Sequence, residues 1–335
     1  EIHADIVRQG LLENNSILGN ALLDMYAKCG LFEEAEEMFA KLPLRDVVTC
    51  NVLITGYVQQ GLGDEALNCF DRMQDEGLLP DAITLSSILN ACGEIGAVGK
   101  GEKIHADIIR QGLLKEDVAL GNALVDMYAK CGLLLKAQEV FDALPIQDVV
   151  SWNALISGYA QNGLGDETLK CFERMHSEGI SLNIITFISI LNACGRSSAL
   201  DNGKRIHAEV VNRGMLKADI VLANALVDMY AKCGDFATAK RVLLKELPAE
   251  SIVSWNALIT GYAQQGQLRQ ALKCFQSMQD EDLSPNVVTF ICILKACGNT
   301  GAIEDGELIH NEILRMGLLE KEIMLGNALV DMYAK

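Results

Sequence analysis

The chain has 335 residues, half of them hydrophobic, with 29 glycines against 5 prolines and a formal charge of −17. That balance fits a folded, core-bearing protein and argues against a disordered chain. No apolar run approaches the ~18 residues of a membrane helix, so no membrane span is expected, and the negative charge weighs against a partner held mainly through phosphates.

Internal periodicity dominates the chain. The string Gly-Asn-Ala-Leu-x-Asp-Met-Tyr-Ala-Lys begins at Gly19, Gly121 and Gly326, with an alanine variant at Ala223. Ile-His begins at Ile2, Ile104, Ile206 and Ile309, with the same spacing of about a hundred residues. A unit that long holds several solenoid repeats. Within it three related stretches follow one another: Asn122 to Gly132, Asn153 to Gly163, and Ile190-Leu191-Asn192-Ala193-Cys194-Gly195. Each is an amphipathic run of helix length stopped by glycine, the residue that most easily takes the left-handed conformation at a helix end. A second helical run follows each, such as Glu167 to Glu178, ending in glycine (Gly179) or in Leu-Pro (Leu144-Pro145). The sub-repeat is helix, tight turn, helix, short link, with no period-two strand pattern. A single hairpin cannot bury residues such as Leu124, Met127, Tyr128, Leu155, Ile156 and Tyr159, so neighbouring hairpins must stack. The expected fold is all-α, a right-handed superhelical solenoid of helix-turn-helix repeats in one array over 1–335. The chain starts and stops inside a repeat, which reads as a fragment.

The 11 cysteines follow the repeat: Cys29, Cys131 and Cys233 in Lys-Cys-Gly, Cys92, Cys194 and Cys297 in Ala-Cys-Gly, Cys69, Cys171 and Cys274 before Phe, with Cys50 and Cys292 outside these families. Context-locked cysteines of this kind read as small buried apolar residues with free thiols in a reducing compartment. No Cys-x-x-Cys pair exists, so no metal and no cofactor is expected.

These residues resemble the plant-type pentatricopeptide repeat proteins that alternate P, L and S motifs. The resemblance rests on Val150 to Ile156 (Val-Ser-Trp-Asn-Ala-Leu-Ile), the Leu-x-Ala-Cys-Gly turns, the Ile-His runs and Asn-Ala-Leu-Val-Asp-Met-Tyr-Ala-Lys-Cys-Gly. It divides the chain into S motifs at 16–46, 118–148 and 220–251, P motifs at 47–81, 149–183 and 252–286, and L motifs at 82–117, 184–219 and 287–322. A partial L motif (1–15) precedes and a partial S motif (323–335) follows. The third S motif is one residue longer, near Val242 to Lys245. The tetratricopeptide pattern Trp-x-x-Leu-Gly-x-x-Tyr does not recur.

The resemblance implies sequence-specific binding of single-stranded RNA, one base per repeat, by the recognition tract of an organelle C-to-U editing factor in mitochondrion or chloroplast. It assigns base reading to the fifth and last residues of each P and S motif: Asn20 with Asp46, Asn51 with Asp81, Asn122 with Asp148, Asn153 with Asn183, Asn224 with Ser251, and Asn256 with Asn286. Asn with Asp is expected to prefer uracil, Asn with Asn either pyrimidine, and Asn with Ser cytosine. Ser86 with Asp117 would read weakly, whereas L-motif Ile188 and Ile291 have no hydrogen-bonding group. The implied target is 5′-UUNUYNCY-3′. Second residues Ile17, Val48, Ala119, Val150, Val221 and Val253 would sandwich the bases. Partners beyond RNA would be editing accessory proteins on the L motifs; neither membrane nor DNA is expected. A protein-interaction scaffold is the competing reading, favoured by the charge. An Asn near a helix start is also a common N-cap, yet six at one register need a shared reason.

His207-Ala-Glu209 and His310-Asn-Glu312 match half of a zinc deaminase signature, but its Pro-Cys-x-x-Cys half is missing and His3 and His105 precede Ala-Asp. No enzyme is expected. Acids such as Glu33, Glu34, Glu36 and Glu37 would form a solvated outer face, and Lys28, Lys130 and Lys232 would leave the inner groove locally positive.

Overall fold

The computed structural model describes residues 16–42, 45–115, 117–216, 219–246 and 251–335. They hold helices and no strand, and form two compact units, residues 1–162 and 163–335. The first unit runs α1 (Ser16–Lys28), α2 (Phe32–Lys41), α3 (Val47–Gln59), α4 (Gly63–Asp75), α5 (Ala82–Ile95), α6 (Val98–Gln111), a 3-10 turn (Leu113–Lys115), α7 (Val118–Lys130), α8 (Leu134–Ala143) and α9 (Val149–Gln161). The second runs α10 (Gly165–Ser177), α11 (Ile184–Ser197), α12 (Leu200–Asn212), α13 (Ile220–Lys232), α14 (Phe236–Glu246), α15 (Ile252–Gln264), α16 (Leu268–Asp280), α17 (Val287–Thr300), α18 (Ile303–Arg315) and α19 (Ile323–Ala334). Odd-numbered helices are the first of each hairpin and even-numbered ones the second.

Turn chemistry sets these boundaries. After α7 the chain turns at Gly132, φ +74°, where a Cβ would be strained. Helix α8 ends at Leu144, whose extended ψ of 134° is what a following proline demands. Within each unit every first helix packs on the next first helix: α1 on α3, α3 on α5, α5 on α7 and α7 on α9, and again from α11 to α19. The shared seam holds fully buried Leu23, Leu53, Ile54, Leu89 and Leu124 in one unit, and Ile190, Leu226, Leu258 and Leu294 in the other. Small residues let two first helices approach. A Cβ on Gly56 of α3 would lie 2.5 Å from Ala27 Cβ of α1, and one on Gly261 of α15 would lie 2.9 Å from Ala231 Cβ of α13.

The outer helices are more than a solvated acidic face. Glu36 of α2 is half-buried; it accepts from Tyr57 Oη at 2.8 Å and from both Arg72 terminal nitrogens at 2.8 and 3.0 Å. Burial pushes the Glu36 carboxyl up, but its bonds to Arg72 and Tyr57 outweigh that and hold it below its usual range. Glu33, Glu34 and Glu37 are exposed as expected. The cysteines are free thiols, but only Cys50, Cys69, Cys92, Cys194, Cys274 and Cys297 are buried; Cys29 is exposed and the others are half-buried.

Candidate nucleic-acid interface

The last residue of each motif is the N-cap of the next first helix. Asp46 accepts from Thr49 N at 2.8 Å, Asp81 from Thr84 N at 2.8 Å, Asp148 from Ser151 N at 2.9 Å, Asn183 from Thr186 N at 3.0 Å, Ser251 from Ser254 N at 3.3 Å and Asn286 from Thr289 N at 3.0 Å. Each bond satisfies one of the orphan donors of a helix start. The capping role therefore falls to the last residue. The fifth-residue asparagines sit a turn further in and are free of it.

Four of the expected pairs meet by hydrogen bond across the hairpin link. Asn51 Nδ2 donates to Asp81 Oδ1 and Oδ2 at 3.0 and 3.1 Å, Asn122 Nδ2 to Asp148 Oδ1 at 3.2 Å, and Asn256 Nδ2 to Asn286 Oδ1 at 3.2 Å. Ser251 Oγ donates to Asn224 Oδ1 at 2.7 Å. Asn51, Asn122, Asn153 and Asn256 are at least nine-tenths buried; Asn153 lies in the first unit and Asn183 caps α11 of the second. Asn20 does not bond Asp46; its Oδ1 is buried without a partner. Ser86 and Asp117 are not joined; the Asp117 carboxylate instead accepts from Ala119 N at 2.8 Å and Leu120 N at 3.3 Å. Asp117 and Asp219, which end L motifs, have ψ of 102° and 110°. Asp46, Asp81, Asp148, Asn183 and Asn286 lie within 2° of 180°. Ser251, at ψ 87°, nonetheless reaches Asn224, so ψ alone does not decide which pairs form; Ile188 and Ile291 of the L motifs are half-buried.

Sequence reasoning missed a third participant. The residue three places into the next first helix carries a hydroxyl that reaches back to the asparagine carbonyl: Thr84 Oγ1 to Asn51 Oδ1 at 2.5 Å, Thr289 Oγ1 to Asn256 Oδ1 at 2.6 Å, and Ser254 Oγ to Asn224 Oδ1 at 2.5 Å. Its recurrence as Thr or Ser at one register was the available signal.

Beside each cap stands an exposed aliphatic side chain. Ile17, Val48, Val150, Val221 and Val253 are 55 to 80% exposed, and Ala119 is exposed. L-motif Ile83, Ile185 and Val288 are as exposed, at 53 to 62%, so this row does not skip the L motifs. One turn and two turns beyond Asn122 on the same helix face come Asp126 and Lys130. Here the expected positive groove is modified: Lys28, Lys130 and Lys232 pair with Asp24, Asp126 and Asp228 at 2.7, 2.9 and 2.6 Å.

Burial raises Asp81 and Asp148, but bonds from the backbone of the residue three places on, from that residue's hydroxyl and from the paired Asn outweigh it. Both carboxyls are held below their usual range and are ionised at neutral pH. The histidines of the Ile-His runs belong elsewhere: Nδ1 of His105, His207 and His310 lies 2.9, 2.8 and 3.1 Å from the hydroxyls of Tyr128, Tyr230 and Tyr333. The acids of the half-signature turn to arginines instead, Glu209 to Arg213 and Glu312 to Arg315. His3 lies outside the described residues.

A family model described as "PPR repeat family" matches residues 45–94, 147–196 and 250–299, and one described as "PPR repeat" matches 20–47 and 122–145. A mitochondrial pentatricopeptide repeat-containing protein of Arabidopsis thaliana (At3g09040) is 33% identical over 335 residues, covering 100% of this chain and 32% of that protein. A chloroplastic one from the same plant (At4g18520) is 33% identical over 335 residues, covering 100% and 53%. This chain thus spans between about a third and about half of these relatives. Among solved structures, that of the pentatricopeptide repeat protein PPR10 in complex with an 18-nt psaJ RNA element aligns with a TM-score of 0.75 at 20% identity, over 97% of this chain and 48% of that one. That likeness is one of fold, an all-α solenoid of stacked helical hairpins.

Proposed function

The chain belongs to the pentatricopeptide repeat family, and from that premise we propose that it binds single-stranded RNA sequence-specifically, one base to a hairpin. One base per helical repeat is the general rule for such arrays. The observation that carries the proposal is the buried Asn tied to the capping residue of the next helix. Such a pair is a small, rigid hydrogen-bonding surface, and the exposed aliphatic residue beside each cap offers an apolar flank for a base.

The chemistry follows from the donors left over. In Asn51 with Asp81, the second Nδ2 hydrogen remains to donate, and the ionised carboxylate has lone pairs to accept. Uracil presents the complement, a carbonyl beside N3–H. In Asn256 with Asn286, the second amide adds donors of its own, so either pyrimidine fits. In Asn224 with Ser251, the hydroxyl hydrogen is spent on Asn224, which leaves an oxygen lone pair for the cytosine amino group and Asn224 Nδ2 for cytosine N3. Read from amino to carboxyl end as 5′ to 3′, the target is UUNUYNCY, with the L-motif bases unread. The alternation of motif lengths supports the PLS class, and with it a role as the recognition tract of a C-to-U editing factor whose L motifs meet accessory proteins. The mitochondrial and chloroplastic relatives support an organelle setting. The chain itself acts as a binder, with no catalytic step assigned to it.

The test is fluorescence-anisotropy binding to UUGUCACC against a copy with purines at the six coded pyrimidines. Preference of ten-fold or more, about 1.4 kcal/mol, is the expected result, and Asn122→Ala should then lose discrimination at the fourth base alone. Equal binding to both RNAs would sink the proposal. Negligible binding to either would turn attention to the scaffold reading, which the charge of −17 favours.

A further inference from the structure

We infer that the hydroxyl residue three places into each following first helix, Thr84, Ser254 or Thr289, is a positioning residue of the reading site, so that the recognition unit is a triad rather than a pair. The inference rests on the base-reading function proposed above and adds a determinant to it.

Thr289 shows the arrangement as a closed ring. Its backbone N–H donates to Asn286 Oδ1 at 3.0 Å, which fixes which end of the Asn286 amide faces inward. That same oxygen accepts from Asn256 Nδ2 at 3.2 Å. Asn256 Oδ1 then accepts from the Thr289 hydroxyl at 2.6 Å. Thr84 repeats the ring on Asp81 and Asn51. Its Oγ1 accepts from Asp81 N at 3.2 Å and has two acceptors in reach for its one hydrogen, Asp81 Oδ1 at 2.9 Å and, closer, Asn51 Oδ1 at 2.5 Å. The polarity of the helix start is thereby relayed to the amide of the preceding repeat. Turning Asn51 over would set its oxygen against the Asp81 carboxylate, acceptor against acceptor. Thr84 and Thr289 are fully buried, and Asn51 and Asn256 are 7 and 8% exposed, so water offers little competition for these bonds. The carbonyl faces inward, and what remains for a base is one N–H of fixed direction.

Asn122 supplies the contrast within the same molecule. It carries the same partner type, Asp148, but the Ser151 hydroxyl lies 2.9 Å from the Asp148 carbonyl and 3.1 Å from its carboxylate. Asn122 is 8% exposed and its Oδ1 is buried with no hydrogen-bond partner. Its amide is held from one side only, by a single 3.2 Å bond where Asn51 has two. Two sites with one two-residue code therefore differ in how firmly the reading amide is aimed.

The experiment measures, by anisotropy, uracil against adenine at the second base (Asn51 with Asp81) and at the fourth base (Asn122 with Asp148). The wild-type chain should discriminate more at the second than at the fourth base, by roughly five- to ten-fold, the worth of one hydrogen bond. Thr84→Val should bring the second base down to the level of the fourth and leave the fourth unchanged; Thr84→Ser should keep it. Thr84→Val also removes a capping contact, so Thr289→Val, read at the eighth base as pyrimidine against purine, is run beside it. The wild-type comparison needs no variant at all. Equal discrimination at the two bases in the wild type overturns the inference, as does full discrimination in Thr84→Val where Asn51→Ala abolishes it. If Asn51→Ala itself changes nothing at the second base, the base-reading function has failed and the triad falls with it.

Discussion

At the scale of the residue, one carboxylate has two duties. Asp81 caps α5 and receives Asn51, and its folded-state pKa is depressed because these bonds outweigh the opposing effect of burial. A depressed carboxyl contributes stability that is fully present above its unfolded value of about 3.9 and is lost as pH falls through the folded value. The same sign holds for Asp148. Urea unfolding followed by circular dichroism from pH 7 downward should show stability falling on the acid side of the ordinary carboxylate range, and Asp81→Asn should flatten that limb. An unchanged acid limb in Asp81→Asn would show that other carboxylates govern it. The bonded asparagine and capping residue were legible in the sequence because both recur in register. The hydroxyl recurs as Thr or Ser at one register too, but nothing in local sequence says that Thr84 reaches back to Asn51 across a whole hairpin.

At the scale of the element, the first helices are set by what touches them along their length. Gly56 and Gly261 exist where they do because a neighbouring alanine occupies the space a Cβ would need. Gly261→Val should cost about 1–3 kcal/mol by overpacking, read as a lowered urea midpoint with an unchanged slope. A midpoint equal to wild type would mean that α13 and α15 separate without strain. Helix starts were readable because Asp, Asn or Ser before an apolar run is a cap signal, and helix ends because glycine follows. The difference between Asp117 and Asp81 was not readable: both are Asp before similar helices, yet one stands at φ −130°, ψ 102° and the other at φ −94°, ψ −179°. The spacing of four between Asp126 and Lys130 is the helical signature of their ion pair and is why the lysine leaves little positive charge in the groove.

At the scale of the whole molecule, the question is how a chain of charge −17 would hold the polyanion proposed for it. Its inner lysines stand beside aspartates one turn away, so they add little net field. Binding should therefore depend weakly on salt, with most affinity coming from base contacts. Asp126→Asn with Asp228→Asn should raise RNA affinity and steepen the plot of log affinity against log salt by up to about 0.7 per lysine released. A wild-type slope already steep, or a double variant with unchanged slope, would remove the lysine masking from the account. Solenoid stability is approximately a sum of hairpins and nearest-neighbour seams, so such surface changes should leave folding nearly untouched.

The cap that closes one hairpin onto the next also has a bearing on how arrays of this kind can be rearranged. If, as proposed, the fifth residue reads with a side chain that starts the following helix and is aimed by a hydroxyl deeper in that helix, a repeat is not a self-contained letter. Splicing two arrays at a helix start would join one parent's asparagine and cap to the other parent's hydroxyl and would shuffle the alphabet at the seam. The unit that can be transplanted with its meaning intact begins just past the third residue of one first helix and ends at the third residue of the next.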